Sequence, residues 1–383
     1  MIEFEPTSEQ RELQALAHEF AERELRPIAA EWDERDEFPP DLLAKAARLG
    51  LTSYAVPAEH GGGGVGSVTA ALIAEELSWG CAGLAATIQA TMFMVRPLVR
   101  FGTEAQRERY LPRLASEDGC LSAIAFTEAH AGSDVSAISA TARRDGDAYV
   151  LAGEKVYITN GGIAALTIVF AKLDGAITAF VLEAGDSGVS AGRKERKLGL
   201  RASYTGSIVL DDARIPADRL LGEEGQGFVL AMDFFEHSRP QVAAGAVGVA
   251  RAAFEAATAY AREREAFGKP LIHKQGVSFK LADMAMEVEA ARLLVWRAAA
   301  AVDAGRDAGL LGSFAKAFAA DTAMRVATDA VQVFGGAGIM REHPVEKWLR
   351  DAKVFQVVEG TSEIQRQVVA TYLSHGWTER PRP

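Results

Sequence analysis

The hydrophobic period of this chain changes twice, near residues 121 and 225, and only a multi-layer fold of mixed class accommodates both changes. Up to Leu121 the spacing is helical: Leu13, Leu16, Ala17, Phe20, Ala21 and Leu25 share a face behind the capping box TSEQ at 7 to 10. Helical patterns recur at Pro40 to Leu49, Val68 to Leu77, Ala85 to Phe101 and Glu104 to Leu114. From Leu121, β-branched and aromatic runs broken by Gly, Asp and Asn predict strands: YVLAGEKVYITN, LTIVFAKL, AITAFVLEA and GSIVLDDARI. After Gly225 helical spacing returns in Phe228 to Arg264, Val277 to Ala304, Leu310 to Phe334 and Ser362 to Leu373. Long helices on short connections predict an antiparallel bundle. The expected fold is mainly α with a central β domain, divided as 1–121 (helical), 122–225 (β) and 226–383 (helical bundle).

A chain of 383 residues with 49% hydrophobic content supports a large core. The 41 basic against 52 acidic residues leave a formal charge of −11 with no standout Lys/Arg run, which argues against a nucleic-acid partner. A phosphate-bearing ligand would therefore need a local cluster of donors. Cys81 and Cys120 suggest neither a disulfide framework nor a metal site and read as buried small residues. The start MIEFEPTSEQ has no signal-peptide pattern, and no uncharged apolar run is long enough to span a bilayer. A cytoplasmic protein without metal or membrane is the expectation. HGGGGVG, at 60 to 66, lacks the Lys-Ser/Thr of a phosphate-binding loop and reads as an irregular turn.

FQVVEGTSEIQR, Phe355 to Arg366, sets an acid at the end of an apolar run, ahead of Gly360, Thr361 and Ser362. Glu359 admits two readings: an acid favoured by the dipole of the helix that follows, or a desolvated carboxylate kept for chemistry.

Five collinear stretches resemble the acyl-CoA dehydrogenase family. They are AFTEAHAGSDVSA (125 to 137), GEKVYITNGG (153 to 162), SRPQVAAGAVGVA (238 to 250), YAREREAFGKPL (260 to 271) followed by Gln275, and QVFGGAGIMREHPVEKWLRD (332 to 351). The resemblance implies an N-terminal helical domain, a barrel-like β domain and a C-terminal four-helix bundle. It implies FAD, and α,β-dehydrogenation of an acyl thioester with electrons passed to an electron-transfer flavoprotein. Glu359 stands at the family's base position, with Arg239 nearby to orient it, and its own amide helps bind the thioester carbonyl. Where some relatives carry the base on the bundle helix, this chain has Ser238, which cannot serve; Glu236 and Glu363 are the rival carboxylates. By the same resemblance Phe126, Thr127, Gly132, Ser133, Tyr157 and Thr159 hold the flavin, and Thr361 and Glu363 meet its adenine side. Arg264, Phe267, Gln275, Gln332, Gly335 and Gly336 reach a neighbouring subunit's FAD, which implies a homotetramer. Substrate contacts fall to Ser133, Gln89, Phe93, Glu236, Arg239 and Gly360.

The chain departs from the family pattern in places. Ala129-His130 replaces a common Pro-Gly, Tyr157 a Trp, and Ala266 a hydroxyl residue; the connection within FAKLDGAITAF, 170 to 180, is short. A helix through Ala85, Gln89, Met92, Phe93 and Met94 is expected to floor the acyl pocket and to favour a short or medium uncharged chain. Other functions stay open. One is an acyl-carrier-protein substrate, drawn to a basic patch of Arg143, Arg144, Lys194 and Arg196; others are a non-catalytic relative and an oxidase of another carbon acid.

Overall fold

The structure, a computed structural model, describes residues 5–377. Six helices come first: α1 (Ser8–Phe20), α2 (Ala29–Arg35), α3 (Leu42–Arg48), α4 (Ser67–Ala90), α5 (Val95–Phe101) and α6 (Glu104–Leu114). The expected capping box opens α1: Thr7 Oγ1 accepts from Gln10 N, and Gln10 Oε1 accepts from Thr7 N. Where sequence spacing suggests separate helices at 68–77 and from 85, α4 is one buried helix with a kink at Cys81. Gly80 and Gly83 flank that kink, which is why the apolar period slips there without the helix ending. Its first amides, of Ser67 and Val68, donate to the carboxylate of Asp303, far along the chain.

Eight strands follow: β1 (Ser122–Ala125), β2 (Thr141–Asp145), β3 (Ala148–Thr159), β4 (Leu166–Leu173), β5 (Ala176–Glu183), β6 (Val189–Lys194), β7 (Thr205–Pro216) and β8 (Leu220–Leu221). They form one sheet in the order β6-β7-β3-β2-β4-β5-β8, with β1 paired in parallel to β4. The four apolar runs picked out by sequence are β3, β4, β5 and β7. The others, such as SAIA and TARRD, are too short or too polar to carry a strand signature. The short β4–β5 connection is a two-residue turn with Asp174 at φ +49° and Gly175 at φ +85°, the left-handed pair a tight hairpin needs.

The bundle comprises α7 (Gly227–Glu263), α8 (Gln275–Asp303), α9 (Gly309–Phe334), α10 (Val345–Phe355) and α11 (Ser362–Ser374), with a small hairpin β9 (Glu265–Ala266) and β10 (Lys269–Pro270) after α7. Helix α10 escapes the sequence reading although Val345, Trp348, Ala352 and Phe355 bury at helical spacing. Helices α4 and α7 meet backbone to backbone: a Cβ on Gly248 would lie 2.2 Å from Glu75 O, so AAGAVG must be small. Beside that contact the buried Glu75 and Glu76 are met by Arg251 and Arg292, tying the first domain to the bundle. Segments 67–101 and 227–263 are long and apolar enough to cross a membrane. Their apolar stretches are 78% and 61% buried within the protein, so core packing accounts for the composition. Cys81 and Cys120 are buried and unpaired, and the glycine run forms an irregular turn.

Candidate active site

Helix α10 ends at the buried Phe355, and the turn beyond it lifts Glu359 into a left-handed conformation, φ +54°, followed by Gly360 at φ +86°. Two consecutive left-handed residues reverse the chain tightly, and a non-glycine residue there is strained. Thr361, not Glu359, caps α11: its Oγ1 accepts from Ile364 N at 3.2 Å. Val357 and Val358 are exposed and Glu359 is half-buried, with Ser238 and Arg239 of α7 and Lys316 of α9 around its carboxyl. Oε2 of Glu359 accepts from Ser238 Oγ of α7 at 3.1 Å.

Arg239 does not orient the carboxylate by a hydrogen bond, as expected from sequence. Its buried guanidinium donates to Ser313 Oγ at 3.2 Å and Gly309 O at 3.4 Å, and it acts on Glu359 only through its charge. Burial pushes the Glu359 pKa above the usual carboxylate value; the Ser238 bond, Lys316 and Arg239 oppose it in that order without cancelling it. The Glu359 N–H donates to no group among the described residues, leaving it available to a ligand carbonyl. Of the rivals, Glu363 is exposed and its carboxyl is lowered by its own amide and Thr361. Glu236 is half-buried, raised by burial, with Arg239 the largest opposing influence.

A chain of rings links this site to the first motif. Phe93 meets Phe234 edge-on with centroids 5.5 Å apart; Phe234 lies 5.3 Å from Phe235, Phe235 6.2 Å from Phe126, and Phe126 4.7 Å from Phe170. Gln89 is buried on α4, but Met92, Phe93 and Met94 sit in the turn after it, not on the helix expected from sequence. The motif itself is pinned by Glu128. That carboxylate accepts from Lys155 Nζ at 2.7 Å, from Ser139 N and Oγ, and from Ala140 N, while Lys155 also donates to Phe126 O. Burial raises the Glu128 pKa, but these donors outweigh it and bring the value down to about 2. Gly132 and Ser133 are exposed and Thr127 half-exposed, and a Cβ on Gly132 would meet nothing within 4 Å. His130 is exposed, 3.7 Å from Glu128. A bulge in β3 between Lys155 and Ile158 turns Tyr157 outward at φ +60°, 62% exposed, with Thr159 half-buried beyond it.

Arg264, Phe267, Gln275, Gln332, Gly335 and Gly336 are exposed and gather at the other end of the bundle. Arg264 lies 26 residues along the chain from Ser238, roughly 40 Å at 1.5 Å per residue. Within one chain the structure does not bring this group to Glu359. Phe267, at φ +52°, is 96% exposed, with the Lys274 ammonium 5.5 Å from its ring centroid. Sequence reasoning missed the Ser238 bond, the Lys155–Glu128 pair, and Lys316 and Gln365, which hold the Glu359–Gly360 carbonyls. The available signal was a lysine among small apolar residues, as in SFAKAFAAD and GEKVYI.

Residues 7–118, 123–213 and 225–373 match the N-terminal, middle and C-terminal domains of acyl-CoA dehydrogenase. An acyl-CoA dehydrogenase of Bacillus subtilis (strain 168) is 43% identical over 376 residues, 97% of this chain and 99% of that protein. Among solved structures, butyryl-CoA dehydrogenase from Megasphaera elsdenii superposes with a TM-score of 0.94 at 42% identity, covering 97% and 100% of the two chains. A chain from a study of the electron transferring flavoprotein of Acidaminococcus fermentans gives 0.94 at 39%, covering 97% and 99%. The chain belongs to the acyl-CoA dehydrogenase family.

Proposed function

We propose that this oxidoreductase dehydrogenates short or medium, uncharged acyl-CoA thioesters between Cα and Cβ, with Glu359 as the base. The observation that carries the proposal is the Glu359 carboxyl: held by the Ser238 hydroxyl at 3.1 Å with two cationic groups nearby, and raised above the usual carboxylate pKa by burial. Its cofactor is FAD. The residues fit that group: hydroxyls at Thr127, Ser133 and Thr159, free space over Gly132 and an outward aromatic face at Tyr157 suit an isoalloxazine edge. When bound, FAD supplies the acceptor for the hydride that leaves Cβ. Glu359 takes the α proton, and the electron pair of the broken Cα–H bond becomes the new π bond. The free Glu359 amide donates to the thioester carbonyl and stabilises the charge that develops there.

The acyl end is bounded by Phe93 packed on Phe234, which favours a short chain. Arg96, the nearby cation, is doubly bonded to Asp233 and is not free for an acyl carboxylate. The carrier-protein alternative is weakened: Arg144 is taken by Asp174 and Glu224, and Lys194 donates to Asp36 O, leaving Arg143 and Arg196. An electron-transfer flavoprotein as acceptor, a homotetramer and a cytoplasmic location complete the proposal. Anaerobic titration with straight and branched acyl-CoAs, following the oxidised flavin absorbance, tests it. Bleaching by a short straight chain is expected, and its loss in Glu359→Gln; a yellow protein that no acyl-CoA bleaches overturns the substrate assignment.

A further inference from the structure

Lys316 lies on α9 with 1% of its surface exposed, among Ala315, Ala319 and Ala320. Its Nζ donates to Gly360 O at 2.6 Å and has no carboxylate within 4.0 Å among the described residues. Gln365 Nε2 donates to the same oxygen at 3.0 Å and to Glu359 O at 3.2 Å. Both carbonyls of the reversed Glu359–Gly360 turn are thus held from the protein interior. A buried ammonium on a neutral carbonyl is an expensive way to make a tie that an amide or hydroxyl could make. The fold retains the charge where it faces Glu359 from the turn, Asp321 from α9 itself, Glu363 from α11 and Arg239 from α7. Three of these four are carboxylates, and only Glu359 lies in the site described above as carrying the base.

We propose that Lys316 is a positioning residue for proton abstraction: its ammonium fixes the turn that presents Glu359, and its charge favours the ionised, basic form of that carboxylate. The inference rests on Glu359 being the base. Desolvation lowers the Lys316 pKa to about 8 while Glu359 and Asp321 oppose the fall, so the charge is present at neutral pH and fades above it. The coupling is reciprocal: whatever Lys316 contributes to ionising Glu359, Glu359 contributes to protonating Lys316.

Three variants separate charge from tie. Lys316→Arg keeps charge and donor, Lys316→Gln keeps a donor without charge, and Lys316→Met keeps only bulk. The first readout is independent of turnover: the carboxyl absorption of Glu359 in the infrared, followed against pH in substrate-free protein and assigned by subtracting Glu359→Gln. In Lys316→Gln and Lys316→Met its midpoint is expected to move up by about one pH unit, with Lys316→Arg near the wild type. In rapid-mixing flavin bleaching, the acid limb should move equally, an approximately tenfold loss below it that higher pH recovers. If neither uncharged variant folds, the reverse measurement serves: Glu359→Gln should lower the Lys316 midpoint, read from its side-chain nitrogen resonance, by the same amount. Unmoved Glu359 midpoints in folded uncharged variants, or an unmoved Lys316 midpoint in Glu359→Gln, overturn the proposal and leave Lys316 a structural tie. Failure of the base assignment would look different, since Glu359→Gln would then still bleach.

Discussion

Ser238 Oγ donates to Glu359 Oε2 at 3.1 Å, joining helix α7 to the α10–α11 turn across 121 positions of the chain. The serine hydroxyl supports the ionised form of that carboxylate. Ser238→Ala removes a hydrogen bond to a charged group, worth about 1.5 kcal/mol, or roughly tenfold in the ionised fraction. Flavin bleaching should slow by about that factor near neutral pH and recover as alkali ionises the carboxyl. A pH-independent loss would count against the assignment.

The raised Glu359 pKa has a consequence for stability. The folded protein binds this proton more tightly than the unfolded chain, so the group's own contribution to stability is fully present below the unfolded carboxylate value and is lost as pH rises through the folded one. Above that point the desolvated charge is a standing penalty. Glu359→Gln removes it and should raise the melting temperature by on the order of 2 °C at pH 8.5, with the gap closing toward pH 5. Calorimetry at three pH values checks the sign; a gap that widens on acidification contradicts it.

The three-part order of the chain was legible because period and composition change together: apolar residues at three-and-four spacing in α7, a continuous β-branched and aromatic run in β4. Strands β1 and β2 were not, since SAIA and TARRD owe their place to neighbours rather than to propensity. At the site, Glu359 was visible through its motif, but its partners were not. The Ser238 bond depends on how α7 lies beside the α10–α11 turn, and no local pattern encodes that. Arg239, adjacent to Ser238, owes its expected orienting role to the family resemblance; the geometry directs it to Ser313 and Gly309 instead.

Lys155 and Glu128 form a buried pair, 0% and 3% exposed, that anchors the loop carrying Thr127, Gly132 and Ser133. Lys155→Met leaves Glu128 buried without its cation, a change of about 3–5 kcal/mol. The melting temperature should fall and bound flavin per chain should drop. Full flavin occupancy in a destabilised variant would separate the loop from cofactor retention.

Phe93 packs its ring edge against Phe234 in the turn after α4. If that contact closes the acyl pocket, Phe93→Ala opens room for further methylenes, each worth about 0.8 kcal/mol or roughly fourfold in kcat/KM. The chain-length optimum should shift by about two carbons. An unchanged optimum with lower rates throughout would place Phe93 in the core rather than at the end of the pocket.

Phe267 is 96% exposed in a left-handed conformation, on the hairpin that follows Arg264, about 40 Å along α7 from Ser238. A large aromatic held in a strained backbone, met among the described residues by the Lys274 ammonium 5.5 Å from its centroid and otherwise open to solvent, is explained by a surface from another chain. The wild-type protein should run near 164 kDa by light scattering, four times the 40.9 kDa chain. Phe267→Asp places a charge in that surface, and mass and bound flavin should fall together, because this end of one subunit would cover the cofactor of the next. Loss of flavin at unchanged mass would keep the cofactor contact but not the assembly role. A tetramer with full flavin would remove Phe267 from both.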